Sequence, residues 1–200
     1  MTAIYFRASR VIELQDRYTS NWHDDPDSLT SGSAVEKLII EQHRQNFELW
    51  HEEDKAREPG ALDTEIAQVK RNIDVLNQRR NDMITEIDLH LADNEFAHHR
   101  NEGSPWNSET VSSIVDRLSI ASLKVYHMLE QVERKGTAQE HRQDCKQKLL
   151  QLRTQQSDLA QALQAFIDDI IAGNRQNKLY RQFKMYNDAA LNPRIYGTLK

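Results

Sequence analysis

Apolar residues recur at intervals of three and four along most of the chain, and this spacing predicts amphipathic α-helices rather than strands. The pattern predicts four long helices, over about 34–58, 61–93, 107–135 and 137–172. Pro59-Gly60, the loop NEFAHHRNEGSPW and Gly136 separate them, because proline and glycine at such junctions end helices. We therefore expect an all-α protein built on an antiparallel bundle of four long helices.

The segments outside these helices are expected to pack on the bundle. The N-terminal segment, 1–33, contains an amphipathic piece over about 7–19, followed by NWHDDPDSLTSGS, which is typical of a loop. The core bundle covers 34–173, and the tail, 174–200, is rich in aromatic and basic residues. A chain of 200 residues suits a single domain with a core of its own, so the whole chain is interpreted as one helical domain.

One face of the first long helix changes from apolar to polar along its length. After Val35 and Ile39, this face continues with residues that an ordinary bundle helix does not bury together: His43, Asn46, Trp50, Asp54 and Arg57. Burying such groups is costly unless they satisfy one another or a ligand. The stripe therefore predicts either a polar network that fixes helix register or a ligand pocket.

The second long helix turns polar at a matching point. Asn77 and Arg80 occupy positions on its apolar seam, and Asn81 lies beside them. Two neighbouring helices that turn polar together predict one shared pocket. Asp116 and Arg117 of the third helix are further candidates to line it, with a local ion pair as the purely structural interpretation.

The candidate side chains favour an anionic or sugar-containing ligand. Planar guanidinium groups at Arg57, Arg80 and Arg117 would hold the oxygens of a phosphate or carboxylate in pairs. Amide groups at Asn46 and Asn77 would bind hydroxyl groups.

Further roles follow for the remaining members of the stripe and for the tail. Trp50 would form a wall for a ring of the ligand, with core packing as the alternative. His43 and Asp54 are the candidate acid and base, since histidine titrates close to neutral pH. In the tail, three residues would reach the mouth of the pocket: Lys184, Tyr186 and Asn187. These residues do not name a reaction or a cofactor.

Metal chemistry has less support in the sequence. Glu48-x-x-His51 and Glu95-x-x-His98 have the spacing of di-iron bundle ligands, but Glu48 and His51 point away from the polar stripe. We therefore expect no metal site. A magnesium-dependent nucleotide hydrolase remains an alternative, and it would use five carboxylates on two helices: Glu53, Asp54, Asp82, Glu86 and Asp88.

The composition limits location and partners. A formal net charge of −5, with both signs interspersed, gives no basic field for nucleic acid. The chain has no run of eighteen apolar residues and no pattern of a signal peptide, so neither a membrane span nor export is expected. Cys145 is the only cysteine, which is typical of a reducing compartment. A cytoplasmic protein is the expectation.

Four blocks of the sequence together resemble a bacterial family, the domain-of-unknown-function family 4254 (DUF4254). They are NFELWHEEDKAR, IDVLNQRRNDMITEID, NSETVSSIVDRLSIASLKVYHM and KLYRQFKMYNDAALNP. The family's motif positions carry over to Trp50, His51, Glu53, Asp54, Arg57, Asn77, Arg80, Asn81, Asp82, Asn107, Glu109, Thr110, Asp116, Arg117, Tyr180, Gln182, Lys184, Tyr186, Asn187, Asn192 and Pro193. One departure is Asn187-Asp188-Ala189, where the family usually has proline after the aspartate.

This resemblance implies an all-helical cytoplasmic protein, often encoded near glycosyltransferases for lipopolysaccharide or related envelope glycans. It implies no established activity. The leading hypothesis is therefore a polar pocket for an anionic, sugar-containing or nucleotide-sugar-like ligand. The second is an interaction module that docks a glycosyltransferase or a second copy of itself, with the internal polar groups serving the fold.

Overall fold

The computed structural model describes residues 6–99, 101–179 and 190–197, and within these ranges the protein is all-helical. Five long helices are present, together with a π-helical turn at Leu91–Glu95 that continues the third one and a short helix, α6, at Pro193–Tyr196. The long helices are α1 (Ala8–Asp24), α2 (Ala34–Lys55), α3 (Asp63–His90), α4 (Val111–Glu133) and α5 (Gln139–Ile171).

The N-terminal helix α1 is longer than expected and is a full member of the packed unit. It continues to Asp24, through residues that the sequence pattern assigned to a loop. Trp22 explains the extension, because its side chain is buried and its ring packs 5.4 Å from that of Tyr18 one turn earlier. Helix α1 contacts α2, α4 and α5. The observed core therefore contains five long helices where the sequence predicted four.

Local signals in the sequence explain how α2 begins. Ser33 accepts a hydrogen bond from the backbone of Glu36, and the Glu36 carboxylate accepts one from the backbone of Ser33, which is a capping box. Glu36 also accepts from Arg10 Nε of α1 at 2.6 Å. The Ser33 backbone and then the Arg10 guanidinium hold the pKa of Glu36 below its ordinary value. One carboxylate thus caps α2 and attaches it to α1.

Helix α4 begins later than the sequence predicted. Its N-cap is Thr110, which accepts a hydrogen bond from the backbone of Ser113, three residues after the predicted start at about 107. A second acceptor comes from α3, where buried Asp88 accepts from the backbone N–H of Ser112 at 3.2 Å. These contacts satisfy donors at the helix start that have no partner within the helix.

The main apolar core lies toward one end of the helices. It joins residues from all five long helices and the π-helical turn, among them Val11, Ile39, Ile87, Leu91, Leu118, Leu163 and Ile167. A separate cluster of Leu49, Ile73 and Leu76 joins α2 to α3 toward the C-terminal end of α2. The stretch of α2 that was predicted to change from apolar to polar therefore lies between two apolar clusters.

Residues 174–179 of the tail lie beside the loop that precedes α4. Gln176 donates its backbone N–H to the carbonyl oxygen of Pro105 at 3.1 Å. Asn177 accepts from the backbone of Val111 and donates to Asp88. The tail thus docks near the start of α4 as far as residue 179. Within the described ranges, none of the helices combines the length and the apolar character needed to cross a bilayer.

Candidate functional site

A buried polar layer, formed by side chains of four helices, is the centre of the region that the sequence singled out. Asp116 of α4 accepts hydrogen bonds from Gln42 Nε2 at 2.6 Å and from Asn46 Nδ2 at 2.9 Å, both on α2. From α3, Arg80 donates Nε to Oδ1 and Nη2 to Oδ2, both at 2.8 Å. Because the Asp116 side chain is only 7 % exposed, these donors replace the water that its charge would otherwise require.

His43 of α2 occupies the interior side of this layer and is fully buried. The Thr19 hydroxyl donates to the carbonyl oxygen of Gln15 at 2.8 Å, so it accepts from His43 Nε2, also at 2.8 Å. His43 Nδ1 then accepts from the hydroxyl of Ser119, 2.7 Å away, and Ser119 accepts in turn from Asn46 Nδ2. Each hydrogen in this series of hydrogen bonds has one acceptor, and the pattern assigns the neutral Nε2–H tautomer to His43.

This environment argues against the acid and base role that the sequence suggested for His43. Burial lowers the pKa of His43 to about 3, so the ring is neutral at physiological pH. Both ring nitrogens already have partners, and His43 lines neither of the two clefts described below. The physical reason is α1, whose Thr19 covers the ring on the side that a four-helix bundle would have left open.

The first cleft, here called the arginine cleft, has a volume of about 400 Å³ and brings six predicted residues together. It is lined by Asn46, Leu49, Trp50, Glu53, Asp54, Arg57, Asn77, Arg80, Ile120 and Leu123. Its cations are already paired. Arg80 is held by Asp116, and Arg57, with its side chain 69 % exposed, is held by Glu53 at 2.7 Å. The predicted residues converge, but their charges are largely compensated within the protein.

The second cleft, here called the lysine cleft, is larger, at about 600 Å³. It lies between the C-terminal half of α2 and the neighbouring stretches of α4 and α5, and it is lined by Trp50, Asp54, Lys124, His127, Met128, Gln131, Lys148, Gln151, Leu152 and Gln155. Among the described residues, no carboxylate forms a salt bridge with Lys124 or Lys148. The sequence analysis did not single out either lysine, because each looks like an ordinary exposed position on its helix.

Trp50 lies between the two clefts and lines both, as does Asp54. The indole ring stacks on the imidazole of His127 from α4, with ring centroids 4.7 Å apart and planes within 9° of parallel. A stacked pair of flat rings holds the orientation of the indole, so Trp50 presents a fixed face to a ligand. The predicted role of Trp50 as a wall is compatible with this placement.

The remaining predicted residues lie elsewhere. Asn81 donates to the carbonyl oxygen of Asn77 on its own helix, at 2.8 Å, and lines neither cleft. Arg117 does not converge with Arg80, because it pairs with Glu109 at 2.7 Å on the exposed side of α4. The predictions for three tail residues lie outside the described residues: Lys184, Tyr186 and Asn187.

The five carboxylates considered for magnesium are dispersed. Glu53 pairs with Arg57, Asp82 accepts from Gln78, and Asp88 serves the start of α4. Within the described part of the chain, no three of the five bring their oxygens within 4.8 Å of one another. The geometry therefore gives no support to the hydrolase alternative.

A group of three half-buried histidines lies behind Trp50: His23 of α1, His51 of α2 and His127 of α4. One ring nitrogen of each lies within 4.8 Å of those of the other two. Burial lowers the pKa of His127 more than the nearby Glu130 raises it. The sequence does not reveal this group, because His23 lies in a segment with the composition of a loop and because His51 lies off the polar stripe of α2.

One protein family matches the part of the chain that contains the two clefts. A family model with the description "Protein of unknown function (DUF4254)" matches residues 36–179, which is well over half of the chain. Curated proteins and solved structures gave no match. The matched range includes all residues that line the two clefts and two of the three clustered histidines. The chain therefore belongs to the DUF4254 family of proteins of unknown function.

Proposed function

We propose that this protein binds an anionic, sugar-containing small molecule in the lysine cleft. The observation that carries the proposal is the pair of lysines, Lys124 and Lys148, on the walls of a cleft of about 600 Å³ that also contains Trp50. This volume lies in the range of pockets for small molecules.

The distribution of charge favours the lysine cleft over the arginine cleft as the place for an anion. In the arginine cleft, a ligand would have to compete with Glu53 for Arg57 and with Asp116 for Arg80. Ammonium groups without a carboxylate partner can accept a phosphate or carboxylate without breaking an existing ion pair. The anionic part of the ligand is therefore assigned to Lys124 and Lys148.

The other lining groups suit the hydroxyl groups and flat rings of a sugar nucleotide. Three side-chain amides offer both donors and acceptors: Gln131, Gln151 and Gln155. Asp54 adds a carboxylate that accepts hydrogen bonds from hydroxyl groups. Trp50, held by His127, offers an aromatic face against which a base or a sugar ring can pack. A sugar nucleotide combines these three kinds of chemistry in one molecule.

The setting of this activity is proposed from the family resemblance. Members of the family are often encoded near glycosyltransferases for lipopolysaccharide or related glycans, so we infer a role in the bacterial cytoplasm, in the assembly of envelope glycans. Carrying an activated sugar, or sensing its concentration, would serve such a process without bond cleavage. The link is one of association and depends on the family rather than on the site.

The test is calorimetric titration of the protein with a panel of sugar nucleotides. We expect saturable binding of at least one member, and we expect Lys148→Met to weaken it by about tenfold or more, since a hydrogen bond to a charged group contributes about 1.5–3 kcal/mol. Lys146→Met is the matched control, because Lys146 is an exposed residue of the same helix that lies outside the cleft. Equal affinities of the two variants would refute the assignment.

A second candidate, a non-catalytic module that docks a glycosyltransferase or another copy of the chain, has its own supporting observation. The polar layer around Asp116 is satisfied by the protein's own groups, as expected of a network that serves the fold. If no sugar nucleotide binds, while Arg80→Ala and His43→Ala both unfold early, the module is favoured. Its partner would then be sought by co-purification with glycosyltransferases of envelope glycan assembly.

A further inference from the structure

The three clustered histidines are oriented alike by their Nδ1 atoms. His23 Nδ1 lies 2.7 Å from the carbonyl oxygen of Thr19, and His51 Nδ1 lies 2.7 Å from that of Phe47. His127 Nδ1 lies 2.7 Å from the carboxylate of Glu130. A carbonyl or carboxylate oxygen only accepts, so each neutral ring carries its proton on Nδ1. Each Nε2 is then left with a lone pair.

These lone pairs are short of partners. Nε2 of His23 and Nε2 of His127 are both shielded from solvent and have no hydrogen-bond partner among the described residues. An acceptor buried without a donor costs about 1–3 kcal/mol. One ring nitrogen of His51 lies within 4.8 Å of those of the other two rings, so three acceptors are brought close together. The arrangement is one that a bound cation would satisfy.

We propose that His23, His51 and His127 form a binding site for a divalent transition-metal ion, of which zinc is the leading case. Neutral imidazole nitrogen is a preferred ligand of zinc, copper, nickel and cobalt, whereas magnesium and calcium prefer oxygen. Zinc sites with three protein ligands leave a fourth position for water or for a small molecule. No thiol or carboxylate from the described residues joins the three rings within the same distance.

The three ring nitrogens lie somewhat farther apart than in a zinc-bound site, so the rings would move toward the ion when it binds. Zinc–nitrogen bonds of about 2.0–2.1 Å in a tetrahedron put two ligand nitrogens about 3.3 Å apart. The ligand nitrogens lie at most 4.8 Å apart, so each pair has to approach by no more than about 1.5 Å, which side-chain rotations provide. The helices need not move.

The surroundings of the three rings are those found around metal-binding histidines. Such histidines donate their other ring nitrogen to a carbonyl or carboxylate oxygen, which fixes the tautomer and strengthens the ligand, and all three rings here do so. Aromatic contacts also hold the rings: Tyr126 stacks on His23 with centroids 4.4 Å apart, and Phe47 packs against His51 at the same distance. The three ligands come from three helices, so the ion would link α1, α2 and α4.

The proposed metal site does not depend on the sugar-nucleotide proposal, but it lies next to the lysine cleft. His127 presents one face to Trp50 in the lysine cleft, while its Nε2 is buried. Metal binding would therefore fix the ring on which Trp50 rests. It would also place a positive charge behind the wall of a cleft that is assigned to an anion.

The experiment is titration of untagged, chelator-treated protein with Zn²⁺, followed by calorimetry, and with Co²⁺, followed by its visible absorption. We expect one ion per chain and the absorption of a low-symmetry, nitrogen-bound Co²⁺. His51→Gln should weaken Zn²⁺ binding by about 100-fold or more, since even groups outside the ligand set change metal affinity by about 10–100-fold. His98→Gln, at an exposed histidine outside the cluster, should leave the affinity unchanged.

A second variant keeps the test decisive if His51→Gln is unstable. Glu130 is exposed and contributes only the partner of His127 Nδ1, so Glu130→Gln should fold normally and weaken Zn²⁺ binding by about 10-fold or more. Imidazole ¹⁵N spectra should show three Nε2 resonances shifting with one equivalent of Zn²⁺. Absence of binding, or binding that neither variant weakens, would overturn the proposal.

Discussion

Arg80 of α3 and Asp116 of α4 meet as a two-point ion pair, with Nε to Oδ1 and Nη2 to Oδ2 both at 2.8 Å. The same carboxylate accepts from Gln42 and Asn46 of α2, so one buried charge joins three helices. The Arg80 guanidinium is therefore engaged in an ion pair that stabilises the fold, and a ligand would have to compete with Asp116 for it. Within the polar stripe of α2, Asn46 donates to this carboxylate directly and His43 is linked to Asn46 through Ser119.

The first prediction concerns the cost of breaking this pair. Asp116→Ala leaves Arg80, Gln42 and Asn46 without their shared acceptor, and we expect a loss of about 3 kcal/mol in the free energy of unfolding. This is the lower end for a buried pair, because the Arg80 side chain is 27 % exposed. Urea unfolding at neutral pH measures the loss.

Two further variants distinguish the contribution of the buried Arg80–Asp116 pair from that of ion pairs on the surface. Arg117→Ala removes an exposed pair with Glu109 and should cost less than about 1 kcal/mol. The double variant Arg80→Met with Asp116→Leu removes both charges and should recover part of the loss. A loss in Asp116→Ala no larger than that in Arg117→Ala would contradict the structural role of the network.

The second prediction is a dependence of stability on pH that His43 causes. Its pKa is about 3 in the folded protein, against an ordinary value of about 6.5. Between these values the unfolded chain binds a proton that the folded protein excludes, so stability is complete above pH 6.5 and falls on acidification. From pH 7 to pH 5 we expect a loss of about 2 kcal/mol from this group.

The measurement is urea unfolding at several pH values, for the native protein and for His43→Gln. The variant should be less stable at pH 7, because its network is imperfect, but its stability should fall less steeply toward pH 5. His98→Gln, which changes an exposed histidine, should keep the native slope. Parallel profiles for the native protein and His43→Gln would show that His43 does not titrate as described.

Much of the fold could be predicted from apolar spacing and helix-ending residues. The long helices α2 to α5 appear where the pattern predicted them, because seams such as Ile73 and Leu76 of α3 repeat at three and four residues. The extent of α1 was missed, since Asn21 to Asp25 is polar apart from Trp22. The burial of Trp22 against Tyr18 explains why α1 continues to Asp24. This burial also depends on packing against a helix that is distant in sequence.

The convergence of several polar side chains could be predicted from the sequence, but their partners could not. Trp50, Asp54 and Arg80 do line one cleft, as their helical spacing indicated. Which charges remain available depends on the pairing of Arg80 with Asp116 from another helix, and a periodic pattern contains no such information. The clustered histidines come from three helices and share no motif, so only the assembled fold brings them together.

The third prediction tests the capping box at the start of α2. Ser33→Ala removes the side-chain half of the capping box, and we expect a loss of about 1 kcal/mol in thermal or urea unfolding. Ser157→Ala is the control, because Ser157 is exposed within α5, where alanine favours the helix. A Ser33→Ala protein as stable as the Ser157→Ala protein would argue against the cap.

The fourth prediction distinguishes two carboxylates of α3 that look alike in the sequence. Asp88 is buried and accepts from the backbone of Ser112 and from Asn177, whereas Asp82 is exposed and accepts from Gln78 on its own helix. Asp88→Ala leaves the buried N–H of Ser112 and the half-buried amide of Asn177 without this acceptor, so it should cost about 1–3 kcal/mol and speed hydrogen exchange in 174–179, where the tail docks. Asp82→Ala should change neither measurement. Mg²⁺ should not alter either result, because Asp88 contributes to the start of α4 rather than to a metal site; a stabilisation by Mg²⁺ that Asp88→Ala abolishes would reverse that assignment.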